Sequence, residues 1–299
     1  MESYNNIRRY NAAIMGAKRG KAKNILYMAR DWNLDGAERQ LLYLVTGLNR
    51  EAYTPIVLLD RPGALNASLG NANVQTHVLK LHSWRSFPEG MLRYPDAMRA
   101  TLLARKLRVN LVHTSDFWQA PYANFIAARL GVPNIIHVRG PLSSRDVAKH
   151  GIARATAMIA IAQRYCDDLA AAGIPSEHMT LIDDAVDVDL FFPLAKENDS
   201  VHLFREKFGV DSRLAVGMAG RIDRFKRVVE FLELIAALPP GMRAKAHFFI
   251  VGEQCDSNRR ARNDYVQVVR NKLEQLGLKQ SVIFTGRSDD MPVVLNALD

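Results

Sequence analysis

Short apolar runs alternate with longer amphipathic stretches along almost the whole chain. Asn24 to Met28 reads as a first buried strand, and the helical spacing of Leu41, Leu42, Leu44 and Val45 predicts a helix opening at Gly36. Strands follow at 55–59, 74–79, 110–113, 134–138, 157–161 and 180–182, with helices over roughly 96–107, 122–130 and up to Ala172. Gly131 and Gly173 stand where two of these helices should stop. A regular strand–helix rhythm of this kind means a mostly parallel sheet covered on both faces.

The pattern breaks near Pro193 to Ser200, where charges and Asn198 replace apolar positions. A second series then begins, with strands at 214–219, 246–251 and 281–285. The expected organisation is a basic extension over 1–23, one Rossmann-like domain over 24–193 and a second over 194–299. Tandem sheets of this class bind ligands in the cleft at the carboxyl ends of their strands.

Charge and cysteines narrow the classes. The chain of 299 residues carries a net charge of +9, and 48% of it is hydrophobic, as in a globular protein. The positive excess leans to the first half and to the opening segment, with Arg8, Arg9, Lys18, Arg19, Lys21 and Lys23. That suits an anionic partner such as a phosphorylated substrate or an acidic lipid surface, and equally a solvated tail. Cys166 and Cys255 have no metal or redox spacing. The cysteine usage makes a cytoplasmic compartment the default, and no apolar run reaches membrane-spanning length, so any membrane contact is expected to be peripheral, at the inner face.

The chemistry concentrates where predicted strands end. The strand 214–219 runs into Gly220 and Arg221, and Lys226 comes just before the apolar positions Val228, Val229, Phe231 and Leu232 of the next helix. A small residue, a guanidinium and an ammonium at a helix entrance suit a diphosphate, because free N–H groups and cations converge there. The same residues also suit an ordinary strand–loop–helix with solvated charges. His113 and Arg139 stand at the carboxyl ends of two strands in the first sheet, facing the expected ligand crevice. Asp187 and Asp189 look like a metal pair, but lie in the connection between the units and more plausibly cap turns. Trp84, Phe87 and Tyr94 make the loop 82–95 unusually aromatic, suited to acceptor contact or to simple packing. No G-x-G-x-x-G follows the first strand, and neither a Walker loop, a nucleophile elbow nor a nucleic-acid module is visible.

Taken in order, these segments resemble the large family 4 of retaining glycosyltransferases with the GT-B fold. The landmarks are Gly36-Ala37-Glu38-Arg39, Leu111-Val112-His113, Gly131-Val132-Pro133, Val186-Asp187 with Phe191 and Pro193, Gly220-Arg221 with Lys226, Ile250-Val251-Gly252, and Phe284-Thr285-Gly286-Arg287. The resemblance implies an α/β architecture of two Rossmann-like domains facing across a cleft, the second one incomplete, since the family's E-x7-E element would lie beyond Asp299. It implies sugar transfer from a nucleotide-sugar donor to a glycan or lipid-linked acceptor, with retention, in surface polysaccharide or glycoconjugate biosynthesis. Arg221, Lys226, Gly220 and Gly36 would serve the donor phosphates. Gly252, Gly286 and Arg287 would border the nucleotide. His113 and Arg139 would face the reacting sugar, and neither a metal nor another cofactor would be needed.

The sequence departs from the family pattern at Arg139, where a histidine is usual, at Asp184-Ala185 in place of Asn-Gly, and at Arg227 in place of glycine. Two other readings stay open at this point. One is a GT-B sugar-nucleotide epimerase. The other is a non-catalytic or partner-dependent fragment.

Overall fold

A computed structural model describes residues 22–30, 34–84, 89–195, 198–252 and 260–299. Contacts divide the chain into two compact units, with the division after Ala185. Residues 1–21 of the expected basic extension and Phe87 lie outside the described residues, and Lys23 opens the first strand. The division falls ahead of Pro193 because the residues around that proline are tied into the second unit. There, Asn296 Nδ2 donates to Phe192 O at 3.1 Å, and Leu194 N donates to Asn296 Oδ1 at 2.8 Å.

The first unit is a parallel sheet of seven described strands: β1 (Lys23–Ala29), β2 (Tyr53–Leu59), β3 (Gln75–Val78), β4 (Val109–Thr114), β5 (Asn134–Val138), β6 (Ala157–Ala160) and β7 (Met179–Leu181). Their order is β3-β2-β1-β4-β5-β6-β7, so the winding reverses between β1 and β4. Strands buried on both faces explain the unbroken apolar runs. Leu26, Met28, Ile56 and Leu58 pack with Ala97, Ala100, Ala104 and Ile126 on one side. The alternate residues Ile25, Tyr27, Val57 and Leu59 pack with Leu41, Val45, Leu65 and Leu69 on the other.

Most expected elements are present, with shifted ends. The helix expected from Asp96 begins earlier, at Arg93, and runs to Lys106. Pro95 fits inside its first turn, where a missing N–H has no intrahelical partner to lose. The helices Ala64–Asn71 and Ser144–His150 were not expected; both are short and carry weak apolar periodicity. The second of them is set by a capping box, with Ser143 Oγ accepting from Asp146 N at 3.1 Å.

The second unit holds β8 (Leu214–Ala219), β9 (Ala246–Val251) and β10 (Val282–Gly286), parallel in the order β10-β9-β8. Helix Val228–Ala237 and helix Arg260–Gln275 cover one face through Leu232, Ile235, Val269 and Leu273. Phe204, Phe208 and Val294 pack against Ala215, Phe249 and Val251 on the other.

Candidate functional site

In the first unit the polar residues gather where β1, β4 and β5 end. His113 and His137 are buried, and their rings stack at a centroid distance of 5.6 Å with 17° between planes. Tyr27 closes on His113 at 5.1 Å. Burial, with the Arg139 guanidinium beside them, pushes the imidazole pKa values down to about 4 for His113 and about 3 for His137, so both rings are neutral near pH 7. Asp116 caps the turn Phe117–Gln119 by accepting from Trp118 N at 2.8 Å. Burial raises its carboxyl above the ordinary range, against the pull of Arg30 and Arg139.

Arg139 is not a free cation. Its Nε donates to Ser115 O at 3.1 Å, one Nη donates to the Asp184 carboxylate, and the other points at His137 Nδ1 at 3.5 Å. Its side chain is only 11% exposed. The guanidinium thus braces β4, β5 and the segment leaving β7. Gln40 fastens the same segment, donating to Ala185 O at 2.6 Å and accepting from Ala185 N at 3.0 Å. Two departures from the family pattern, Arg139 and Asp184, therefore meet as one ion pair.

The second unit has a different rim. Gly220, Gly252 and Gly286 lie side by side at its strand ends, linked by Gly220 N to Val251 O and Gly252 N to Gly286 O, each at 2.9 Å. Each glycine has its own reason. Gly220 has φ 152° and Gly286 has φ 75°, conformations that L side chains rarely adopt. At Gly252 a Cβ would stand 1.9 Å from the Gly220 carbonyl oxygen.

Asp223 opens the short turn Arg224–Lys226, accepting from Lys226 N at 3.0 Å. The Lys226 side chain lies along Gly220, 3.4 Å from where a Cβ would be. Among the described residues no carboxylate pairs with its ammonium. Arg221 does meet an internal carboxylate, with Nη2 3.3 Å from Asp223 Oδ2, while staying 45% exposed. The pair of cations expected from the sequence to meet a diphosphate is therefore uneven. Lys226 is available to an anion, and Arg221 is shared with Asp223. Arg227 adopts φ 58° where glycine is usual, and still leads directly into the helix.

Of the remaining candidates, Gly36 opens its helix with Asp35 extended at the N-cap. A Cβ there would meet nothing within 4 Å, so neither packing nor backbone demands glycine. Arg287 pairs with Asp289 at 3.2 Å. Asp187 Oδ1 accepts from Asp189 N at 3.0 Å and Leu190 N at 3.3 Å, which is turn capping. Among the described residues no group of three His, Cys, Asp or Glu is placed to hold a metal ion.

Trp84 packs edge-on against Tyr122 at 4.8 Å and borders an open groove of about 660 Å³ with Tyr94, Arg129, Lys149 and Arg154. Asn134 and Thr156 also line that groove, so it sits at the amino ends of β5 and β6, away from the predicted site residues. Sequence reasoning missed His137, Ser115, Gln119 and Asp184. His137 had a signal: a polar residue inside an apolar strand run, two positions from Arg139 and on the same side of the strand.

Parallel Rossmann-like sheets, with polar residues and glycines collected at their carboxyl ends, place the molecule among the GT-B glycosyltransferases. The chain belongs to Glycosyltransferase Family 4, which it matches over residues 34–190, more than half its length. Solved structures agree on the fold. HepE of Anabaena, in complex with UDP-glucose, superposes with a TM-score of 0.77 at 20% identity, covering 92% of this chain and 72% of that one. A glycosyltransferase from Rickettsia africae gives 0.74 at 15% identity, covering 94% and 72%. WaaG, a glycosyltransferase involved in lipopolysaccharide biosynthesis, gives 0.66 at 14%, covering 92% and 73%. A search of curated proteins found no match.

Proposed function

We propose that this glycosyltransferase moves a sugar from a nucleotide-sugar donor to a glycan or lipid-linked acceptor, with retention at the anomeric carbon, in surface polysaccharide or glycoconjugate biosynthesis. The observation that carries the reading is the second unit's rim. Three glycines stand side by side there, and Lys226 lies along Gly220 with its ammonium unpaired among the described residues. A diphosphate fits that chemistry, since a cation with no carboxylate partner stabilises charge growing on the leaving group. Arg221 adds part of its guanidinium, and Gly220, Gly252, Gly286 and Arg287 border the nucleotide. Side-chain cations meet the diphosphate charge in place of a metal ion. HepE, solved with UDP-glucose, supports a uridine nucleotide as the donor's carrier.

The first unit contributes Gly36, whose open side leaves room for a ligand, and His113 for the sugar. Arg139, held by Asp184, keeps the strand ends in place. For the proposed cytoplasmic protein, peripheral contact with an anionic membrane is supported by Met91, Leu92, Tyr94, Met98 and Leu102. These side chains are all at least 40% exposed and follow helical spacing among Arg93, Arg99, Arg105 and Lys106. No described helix is long and apolar enough to cross a membrane.

Lys226→Ala tests the reading. Turnover of UDP-glucose, with transfer or hydrolysis followed by UDP release, should fall at least 100-fold while the circular dichroism spectrum stays unchanged. Near-normal turnover by that variant would remove the diphosphate role.

A further inference from the structure

The open groove of about 660 Å³ beside Trp84 has no part in the proposed transfer. Its floor is one face of the helix Ala120–Leu130, where Pro121, Asn124, Phe125 and Ala128 recur at three- and four-residue spacing. From Pro121 to Gly131 that helix carries the groove along about 15 Å. Trp84 and Tyr94 wall it beside the helix Arg93–Lys106, and Lys149 and Arg154 wall it beside the helix Ser144–His150. Arg129 adds a third cation near its end.

The charges in this groove are of one sign. Among the described residues no Asp or Glu lines it, and none of its three exposed cations pairs with a carboxylate. The acceptors on its floor are already engaged. Asn124 Oδ1 accepts from Asn134 Nδ2 at 2.8 Å, Gly151 O from Asn124 Nδ2 at 2.8 Å, and Thr156 Oγ1 from Asn134 N at 3.1 Å. What remains is a row of donors, which suits a ligand rich in oxyanions.

Shape and surroundings narrow that ligand. An open channel with small residues on its floor admits a chain, whereas a bilayer surface is too broad to follow it. Arg93 lies over Tyr94 at 4.9 Å and Arg129 over Phe125 at 5.0 Å, which leaves less ring face for the stacking that single-stranded nucleic acid uses. Tyr94 also belongs to the exposed stripe assigned to membrane contact, so the groove opens where a lipid-linked glycan would be carried.

We propose that this groove is a second binding site, away from the strand rims, which holds an acidic glycan chain through Arg129, Lys149 and Arg154. The ligand class rests on the proposed glycan acceptor, but the site does not depend on Lys226.

The test is fluorescence anisotropy of end-labelled tetragalacturonate with the full chain. Binding should saturate, weaken as salt is raised, and be displaced by unlabelled tetragalacturonate but not by neutral maltotetraose. Joint replacement of the three cations, Arg129→Gln, Lys149→Gln and Arg154→Gln, should weaken it at least tenfold. Ala128→Trp keeps every charge and fills the floor, so it should weaken binding at least fivefold, and it covers the case in which the triple variant fails to fold. No saturable binding, equal displacement by maltotetraose, or full-strength binding in either folded variant would overturn the site. Stronger displacement by oligothymidylate or by phosphatidylglycerol vesicles would overturn it in favour of nucleic acid or lipid. Lys226→Ala should leave the probe's affinity within twofold and UDP should not displace it, so the groove and the diphosphate reading can fail independently.

Discussion

The two strand rims use opposite means to present chemistry. In the first unit the polar groups are buried, neutral or internally paired, and held by side chains on three strand ends. In the second unit the rim is mostly backbone, with glycines at all three strand ends and cations beside them. A buried neutral rim discriminates hydroxyls through hydrogen-bond direction. A glycine rim beside an ammonium with no carboxylate partner among the described residues favours anions through charge and close approach. The proposed function gives the sugar to the first rim and the diphosphate to the second.

The largest effect should separate two glycines that look alike in sequence. Gly252→Ala places a Cβ 1.9 Å from a backbone oxygen, so we expect a loss of about 3 kcal/mol or more in urea unfolding of the second unit. Gly36→Ala meets nothing and should stay within about 0.5 kcal/mol of the parent. Equal effects at the two positions would erase the difference between a glycine forced by packing and one left open.

A second effect, confined to the first unit, comes from pH. The folded pKa values of His113 and His137 lie at about 4 and about 3, below the ordinary 6.5. Between those values and 6.5 the unfolded chain binds protons that the folded chain refuses. Stability from these two residues is therefore complete above pH 6.5 and is lost as the pH falls towards 4, by up to about 1.4 kcal/mol per pH unit for each ring. His137→Phe should reduce the slope of urea stability against pH over that window by up to the same amount. An unchanged slope would mean that the ring is not buried in neutral form.

How much of this was legible in the sequence follows from the range of the forces involved. Strands such as Leu26-Tyr27-Met28 and Phe248-Phe249-Ile250 announce themselves, because burial on both faces leaves only apolar residues. The strand-end residues His113, Arg139 and Gly220 could be placed by counting to the end of each run. Their partners could not. Asp184 reaches Arg139 across 45 positions of chain, and Gln119 reaches Ala29 across 90. Only folding brings them together, so the internal pairing of Arg139 stayed invisible. The pairing of Arg221 with Asp223 is local, yet spacing alone does not tell a cation held by its neighbour from one left for a ligand. Gly252 is legible as a strand end, whereas its contact with Gly220 depends on two strands pairing in register.

The most direct test of the contrast is calorimetric titration of UDP into the full chain and into Lys226→Ala and Arg139→Gln, at two salt concentrations. The account predicts that Lys226→Ala weakens UDP binding at least tenfold and flattens its salt dependence, while Arg139→Gln leaves the affinity within about twofold. The reverse pattern, with Arg139 required and Lys226 dispensable, would contradict the assignment of the diphosphate to the second unit's rim.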